Sequence, residues 1–370
     1  MLKKRFRGLG GLALAVFIAL LAGCGFGAND EAVDLIPPNA VEWDDGVKVD
    51  NPVTDSDGAK ENEDTGQSAE TNSNSNSNVA TTTLTLYFLD KNGYVVPVAM
   101  KVPKVEGIAQ QALQFMTKGG PGEELVPEGF SAVLPPNTEM TVNIKPEEKL
   151  ARVDFSKEFT NIPAGQEKKV LEAITYTLTQ FPNVEQVEIT VNGYPLTELG
   201  DYPVTQPLKR QTLGINLELS DDAQPGQTTA VTLYFQGINQ AGDSYLVPVT
   251  RLIPRVASVE EKALRTVQEL IRGPREDSGL ASSLMQSLKV LDVQLRDNTV
   301  VANMDEHFLS YLSLSDPTEM NPSLESLVLS LTENTGSQEV QVLVNGETAV
   351  SVNGQPLSQH LTRPAWVNPL

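Results

Sequence analysis

The sequence predicts an α+β protein with two tandem copies of one module, each containing a mixed or antiparallel sheet with two helices packed on one face. Three observations support this fold class. Short motifs recur in the same order about 150 residues apart, each copy opens with the signature of a β-hairpin, and each copy carries two apolar stripes at helical spacing. The predicted order in each copy is ββα-ββ-α-β.

The internal repeat consists of six ordered motif pairs with an offset of 147 to 154 residues. The pairs are Thr85-Leu86-Tyr87-Phe88 with Thr232-Leu233-Tyr234-Phe235, Val96-Pro97-Val98 with Val247-Pro248-Val249, Lys118-Gly119-Gly120-Pro121 with Arg272-Gly273-Pro274, Leu178-Thr179 with Leu331-Thr332, Val191-Asn192-Gly193 with Val344-Asn345-Gly346, and Leu208 and Arg210 with Leu361 and Arg363. We therefore predict duplicated modules at 83–212 and 228–365, with a polar boundary near 221–227.

Each copy is predicted to begin with a hairpin. In the first copy, the strand Leu84 to Leu89 precedes the turn Lys91-Asn92-Gly93, and Tyr94 to Val102 pairs back. An Asn-Gly pair between β-prone runs is a strong hairpin signal. The second copy has a longer turn, Asn239 to Asp243.

Two helices and three further strands complete each copy. The apolar stripes are Ala109, Leu113 and Met116, matched by Ala263, Val267 and Leu270, and Leu171, Ile174 and Leu178, matched by Leu324, Leu327 and Leu331. Gly-Pro steps are expected to follow the first helix of each copy. The predicted strands are Thr141 to Ile144, Ala151 to Phe155 and Gln186 to Val191, then Leu291 to Leu295, Val300 to Met304 and Glu339 to Val344.

The N-terminal segment has the pattern of a secretory signal. Lys3, Lys4, Arg5 and Arg7 precede an apolar run that is too short for a spanning helix. The run ends in Leu21-Ala22-Gly23-Cys24, which resembles a bacterial lipobox. The resemblance implies a signal peptide at 1–23, acylation of Cys24, and anchoring to the membrane on its extracytoplasmic face.

Residues 24–82 are predicted to form a flexible tether. The stretch from 29 to 82 contains 13 acidic and 2 basic residues, and 71–78 is nearly all Ser and Asn. Such a segment cannot bury enough apolar surface to offset the entropy of ordering it.

Composition excludes several functions. A net charge of −21 and a pI near 4.5 argue against nucleic-acid binding by a basic surface. One Cys and two His leave no basis for a disulfide framework or a Cys/His metal centre, and we predict no metal and no cofactor.

Catalytic hypotheses are weak. Asp154 and Glu158 form a carboxylate pair, but their counterparts are Asn303 and His307, so the pair is not duplicated. Asp305, Glu306 and His307 have no partner Ser or Cys, and His360 is expected at the surface, as are Asp44-Asp45 and Asp221-Asp222. We predict no catalytic residues and a protein that is not an enzyme.

The adjacent aromatics Tyr87-Phe88 and Tyr234-Phe235 must point to opposite faces of their strands. One member of each pair is therefore predicted in the core, and the other exposed or covered at an interface. Strand edges, for example Val300 to Met304, could pair with other proteins or with a second copy of the chain.

The combined motifs resemble the GerMN domain family, across nearly the whole chain. They are 86–96, Ala132-Val133-Leu134-Pro135, Val153-Asp154-Phe155-Ser156 and Leu178-Thr179-Gln180-Phe181. The resemblance implies a role in sporulation and germination, in the space between mother cell and forespore membranes. It also implies kinship to ring-building modules and assistance to the channel complex that joins the two compartments. The second copy departs from the family pattern, with Asn303-Met304-Asp305 in place of Asp154-Phe155-Ser156.

Two functional hypotheses remain. In the first, the chain is a non-catalytic assembly factor that binds sporulation channel proteins and self-associates. In the second, it binds peptidoglycan or a small ligand in a groove between the modules and assists cortex formation or lysis.

Overall fold

The structure is a computed structural model that describes residues 80–309, 322–347, 351–352, 355–356 and 360–370. The described residues all fall within one compact unit, Leu35–Leu370. The signal peptide, Cys24 and nearly all of the tether lie outside the described residues, so they stay predictions.

The first module follows the predicted order. Its main elements are β1 (Thr81–Leu89), β2 (Val95–Pro103), α1 (Ile108–Phe115), β3 (Met140–Lys145), β4 (Leu150–Phe155), α2 (Glu167–Leu178) and β5 (Gln186–Val191). Short elements follow: β6 (Tyr194–Pro195), β7 (Glu198–Leu199), β8 (Tyr202–Pro203), α3 (Arg210–Leu213) and β9 (Glu218–Leu219).

The second module repeats this order. Its elements are β10 (Thr228–Ile238), β11 (Ser244–Pro254), α4 (Val259–Arg272), β12 (Val290–Arg296), β13 (Thr299–Met304), α5 (Pro322–Thr335), β14 (Glu339–Val344), β15 (Ser351–Val352), β16 (Gln355–Pro356) and β17 (Leu361–Thr362). The predicted α+β class and the predicted order of elements are confirmed.

The hairpin turns lie where the sequence predicts them. In the first module, Asp90 Oδ1 accepts hydrogen bonds from the backbone N–H groups of Asn92 and Tyr94 at 2.9 and 2.8 Å. In the second, Asn239 Oδ1 accepts from the Asp243 N–H at 2.8 Å. In both turns a side-chain oxygen accepts hydrogen bonds from backbone N–H groups that have no partner on the opposite strand. This is why Asp and Asn are favoured at such positions.

Each module contains two main sheets rather than one, besides the small two-stranded sheets β7-β8 and β15-β16. The hairpin β1-β2 and the mixed sheet β3-β4-β5-β6 do not share hydrogen bonds, and the second module divides in the same way. Within the mixed sheets, the antiparallel pairs β3-β4 and β12-β13 lie beside the parallel pairs β4-β5 and β13-β14. The prediction of Val300 to Met304 as an edge strand is wrong, because β13 is hydrogen-bonded on both sides.

The helices pack against both sheets of their own module. The predicted stripe Ala109, Leu113 and Met116 is buried in the same core as Phe88 and Phe155. In the second module α4 ends at Arg272, and Gly273 follows with φ 87°, a conformation that glycine adopts without strain. In the first module the helix ends earlier, at Phe115, so the Gly-Pro step lies in the turn that follows.

Candidate functional site

Asp154, half of the predicted carboxylate pair, holds a turn. Its Oδ1 accepts hydrogen bonds from Thr190 Oγ1 at 2.5 Å and from the backbone N–H of Gly193 at 2.7 Å. In the second module, Asn303 Oδ1 accepts from the Gly346 N–H at 2.8 Å. The departure from Asp to Asn therefore preserves the acceptor that fixes the Val-Asn-Gly turn.

The other candidate catalytic groups are engaged locally or exposed. Glu158 is exposed on a short 3₁₀ turn, and a hydrogen bond from Ser156 lowers its pKa. His307 Nδ1 lies 3.0 Å from Asp305 Oδ2. Burial opposes ionisation of Asp305, yet the hydrogen bond with His307 holds its pKa below the usual value. His360 pairs with Glu339 at 2.6 Å.

The Asp221-Asp222 pair is only in part a solvated pair. Asp222 accepts a hydrogen bond from Ser220 Oγ at 2.7 Å and lies 3.3 and 3.6 Å from the guanidinium groups of Arg265 and Arg272. Both arginines belong to α4. The segment that the sequence marks as a boundary is therefore attached to the second module.

Within the described residues, no three His, Cys, Asp or Glu side chains come close enough together to hold a metal ion. In that same part of the chain, no helix has the length and apolar content needed to cross a membrane.

The adjacent aromatics divide as predicted. Phe88 and Phe235 are fully buried in the two module cores, whereas Tyr87 and Tyr234 line a cavity between the modules and are 7% and 6% exposed. The tyrosines are thus covered at an interface that the folded tandem itself forms.

Strands β2 and β11 bring the two modules together. Val96, from β2, is fully buried in the core cluster of the second module. Pro97 in β2 and Pro248 in β11 have no backbone N–H group. The two strands therefore cannot form a regular ladder of backbone hydrogen bonds where they lie side by side. Carbonyl groups along both strands consequently need side-chain partners.

The side chain of Asn216 supplies hydrogen-bond partners to both strands at one end of this contact. Its Oδ1 accepts from the Val95 N–H at 2.8 Å, and its Nδ2 donates to the carbonyls of Val95 and Pro248 at 2.8 and 2.7 Å. One amide side chain thus links β2 of the first module to β11 of the second.

Asn368 makes the reciprocal contacts. Its Oδ1 accepts from the Leu246 N–H, and its Nδ2 donates to the carbonyls of Leu246 and Pro97, all at 2.8 Å. Asn216 and Asn368 both have left-handed backbone conformations, with φ of 49° and 51°, which Asn adopts more readily than most residues. The two clamps are equivalent in chemistry, backbone and position.

Each clamp belongs to a short segment that runs onto the other module. The first strap, residues 215–222, includes β9, which pairs in parallel with β11. The second strap, residues 367–370, bridges Ala99 of β2 in parallel through Pro369, with N–H···O bonds of 3.1 and 2.9 Å. The modules therefore exchange straps.

A buried ion cluster anchors the first strap. Arg251, 3% exposed, donates to Glu218 of the strap at 2.6 Å, to Glu269 of α4 at 2.9 Å and to the Gly273 carbonyl at 2.9 Å. A buried charge is tolerated when it is paired and hydrogen-bonded in this way.

The hairpins also touch at their tips. The Tyr245 hydroxyl donates to Asp90 Oδ2 at 2.7 Å, and its ring meets Phe130 edge-on with centroids 4.9 Å apart. A Cβ at Gly237 would come within 2.5 Å of the Tyr245 ring, so glycine is required for the tyrosine to reach the first module.

Sequence reasoning missed both clamps. The signal was the recurrence of Ile215-Asn216-Leu217 as Val367-Asn368-Pro369, an apolar residue followed by Asn at an offset close to that of the other motifs. Each segment lies just beyond the range predicted for its own module.

Comparison with known proteins agrees with this architecture. The family model described as "Germane: Sporulation and spore germination" matches residues 85–197 and 232–350. The spore germination protein GerM of Bacillus subtilis (strain 168) is 34% identical over 379 residues, covering 100% of this chain and 99% of that protein.

A solved structure provides the same match in three dimensions. The tandem GerMN domains of the sporulation protein GerM from Bacillus subtilis align with a TM-score of 0.70 at 33% identity, covering 78% of this chain and 99% of that one. With both repeats matched, and with full-length similarity to a relative, the chain belongs to the Germane, or GerMN, family of sporulation and spore germination proteins.

Proposed function

We propose that this protein is a non-catalytic, membrane-tethered assembly factor of sporulation and germination, which helps to assemble, localise or stabilise the mother cell–forespore channel complex. The observation that carries the proposal is the exchange of straps between the modules. Two domains joined in this way present their outer surfaces to partners as one body.

The use of the polar residues supports a non-catalytic role. Asp154 and its counterpart Asn303 both hold turns, and an enzyme that depended on this carboxylate could not replace it with an amide.

Exposed strand edges are suitable contact surfaces. In the described residues, β3 and β12 each pair on one side only, and Leu291 on β12 is 50% exposed. An open edge can accept a strand from a partner protein or from a second copy of the chain. Acylation at Cys24 would hold this surface at the extracytoplasmic face of the membrane, in the space between mother cell and forespore.

The test uses the tagged full chain, expressed in sporulating Bacillus subtilis in place of its relative and cross-linked in cells. Captured proteins are identified by mass spectrometry, with a Cys24→Ala variant as control. Channel components captured by the intact chain and lost with Cys24→Ala are the expected result. Capture of only wall fragments or cortex-lytic enzymes overturns the proposal in favour of wall binding.

A matched pair of surface variants locates the contact. Leu291→Lys places a charge on the open edge of β12, whereas Leu125→Lys alters an equally exposed leucine, 51% against 50%, that lies in a turn outside every strand. We expect Leu291→Lys to reduce capture and Leu125→Lys to leave it unchanged. Equal capture by both variants contradicts the assignment to this edge.

A further inference from the structure

A cavity of about 260 Å³ lies between the modules, and two arginines from equivalent positions of the repeat line it. Arg210 follows the first module's mixed sheet and Arg363 follows the second's, 153 residues later. Glu333 and three tyrosines, Tyr87, Tyr176 and Tyr234, also line the cavity.

Both arginines are held by a helix of their own module. Arg210 donates through Nη2 to the Tyr176 carbonyl at 2.9 Å and through Nε to Thr179 Oγ1 at 2.6 Å. Arg363 donates through Nη1 to the Leu329 carbonyl at 3.1 Å and to Thr332 Oγ1 at 2.8 Å. These contacts fix the guanidinium groups before any ligand arrives, which lowers the entropic cost of binding.

The charges in the cavity do not balance. Glu333 is the carboxylate among the lining residues, and it lies 2.7 Å from Arg363 but 4.0 Å from Arg210. The residue equivalent to Glu333 in the first module is Gln180, which is neutral. Two guanidinium groups thus share one carboxylate, and Arg210 Nη1 approaches it only to 4.0 Å, whereas Arg363 approaches it to 2.7 Å.

Hydroxyl groups add further donors. Among the described residues, nothing hydrogen-bonds the hydroxyl of Tyr87 or of Tyr176, although both residues line the cavity. Burial raises the pKa of each hydroxyl above its usual value, so both stay protonated at neutral pH and can donate. The Arg210 guanidinium lies 4.8 Å above the ring of Tyr176, which keeps the cation in place.

We propose that this cavity binds a small carboxylate-bearing ligand, with the carboxylate bound to Arg210 and to the buried tyrosine hydroxyls. A guanidinium presents paired N–H donors that match the two oxygens of a carboxylate, and such charge-assisted bonds are stronger than neutral ones. The rings of Tyr87, Tyr176 and Tyr234, each less than 10% exposed, lie beside the contact. The site depends on both modules, and it is separate from the open strand edges of the assembly proposal.

The carboxylate can come from a free small molecule or from the C-terminus of a peptide, and the experiment separates these sources. The probes are citrate, acetyl-Gly-Gly with a free carboxylate, and acetyl-Gly-Gly amide, each titrated at constant ionic strength. A ligand of this size is expected to bind with a dissociation constant on the order of 1 mM.

Trp366 lines the cavity and provides the readout. The sequence contains two tryptophans, so the Trp43→Phe background isolates the fluorescence of Trp366. The full chain is used, in a non-ionic detergent. Saturation by citrate or by the free-carboxylate peptide, without saturation by the amide, supports the proposal and identifies the source. No saturation by either carboxylate overturns it.

Variants distinguish a ligand site from a purely structural arginine pair. Glu333→Gln removes the carboxylate that competes with the ligand for the two guanidinium groups. We therefore expect about tenfold tighter binding, a gain that misfolding cannot produce. Arg210→Gln should weaken binding at least about tenfold, whereas Arg152→Gln, an exposed arginine paired with Glu188 on the mixed sheet, should leave it unchanged. Unchanged or weaker binding by Glu333→Gln, or equal weakening by Arg152→Gln, overturns the site.

Discussion

The two straps are attached by similar main-chain contacts but by different side-chain anchors. The first strap is held to the second module by Asn216, by β9, by the Glu218–Arg251 pair and by Asp222. The residue at the position of Arg251 in the first module is Met100, and the described contacts of the second strap with β2 are those of Asn368 and two backbone bonds at Ala99.

This difference shows which features of the repeat serve the fold and which are specific to one module. Both copies have an asparagine clamp with a left-handed backbone, and in both the strap runs parallel to the strand that it contacts. Among the described residues, the ion cluster around Arg251 has no counterpart at Met100 of the first module. The strap that this cluster holds is also part of the covalent connection between the modules. Variants that make one module resemble the other can therefore test the comparison directly.

The largest effect is expected for Arg251→Met, which gives the second module the residue of the first. Glu269, 1% exposed, would keep only its 3.2 Å pair with the half-exposed Arg272, and Glu218 would lose Arg251 as well, so the free energy of unfolding should fall by up to about 3–5 kcal/mol. Urea titration measures this change. Met100→Leu, at the equivalent position, should cost less than about 1.5 kcal/mol. Similar losses for the two variants would show that the ion cluster has no special role.

Asn368→Asp is expected to have the next largest effect. The substitution replaces the Nδ2 donor with an oxygen that faces the carbonyls of Pro97 and Leu246, at a cost of about 1–3 kcal/mol. Hydrogen exchange at the Ala99 amide, which donates to the Asn368 carbonyl, reports release of the second strap. In the first strap the corresponding amide is that of Thr250, which donates to the Ile215 carbonyl at 2.7 Å. Asn216→Asp should accelerate exchange there less than Asn368→Asp accelerates it at Ala99, because Arg251 still holds the first strap. The opposite order contradicts the comparison.

A moderate effect is expected at alkaline pH. Burial raises the pKa of Tyr234 and, in the first module, of Tyr87 and Tyr176. Above a pH of about 10 the unfolded chain loses these protons while the folded chain keeps them, so stability falls by up to about 1.4 kcal/mol per pH unit for each tyrosine.

Urea titrations from pH 8 to 11 measure this loss. Tyr234→Phe should make the decline shallower, and Tyr194→Phe, at an exposed tyrosine, should not. Identical slopes for wild type and Tyr234→Phe would exclude Tyr234 as a source.

The smallest effect is expected for Asp154→Asn. The second module already uses Asn303 to accept from its glycine N–H, so the change should alter the free energy of unfolding by less than about 0.5 kcal/mol. Asp154→Ala, which removes the acceptor, should cost about 1–3 kcal/mol. A loss for Asp154→Asn as large as that for Asp154→Ala would indicate that the charge itself matters.

Local sequence patterns were sufficient for most of the fold. Alternation and helical stripes depend on neighbours within one element, and the turns at Asp90 and Asn239 are closed by side chains within four residues. The element order of both copies therefore follows from the sequence.

Long-range pairings were not predictable in the same way. Val300 to Met304 was wrongly predicted as an edge strand because a strand is an edge only when no other strand lies on one of its sides, and local sequence does not show which strands those are. The continuous apolar run Val300-Val301-Ala302 is nevertheless typical of a central strand. The clamp at Asn216 bridges residues 121 positions away, and a two-residue strand such as β9 has no period to detect. Arg210 and Arg363 were visible as a repeated motif, but their shared cavity depends on how the modules pack.

The reciprocal straps also impose an order of events during synthesis. The Asn368 contact with Pro97 joins residues 271 positions apart, so β2 must wait for the end of the second module before its partner exists. At a typical translation rate the delay is on the order of tens of seconds. Throughout that interval the first module has an exposed strand edge, and the missing N–H of Pro97 makes this edge a poor template for aggregation with neighbouring chains.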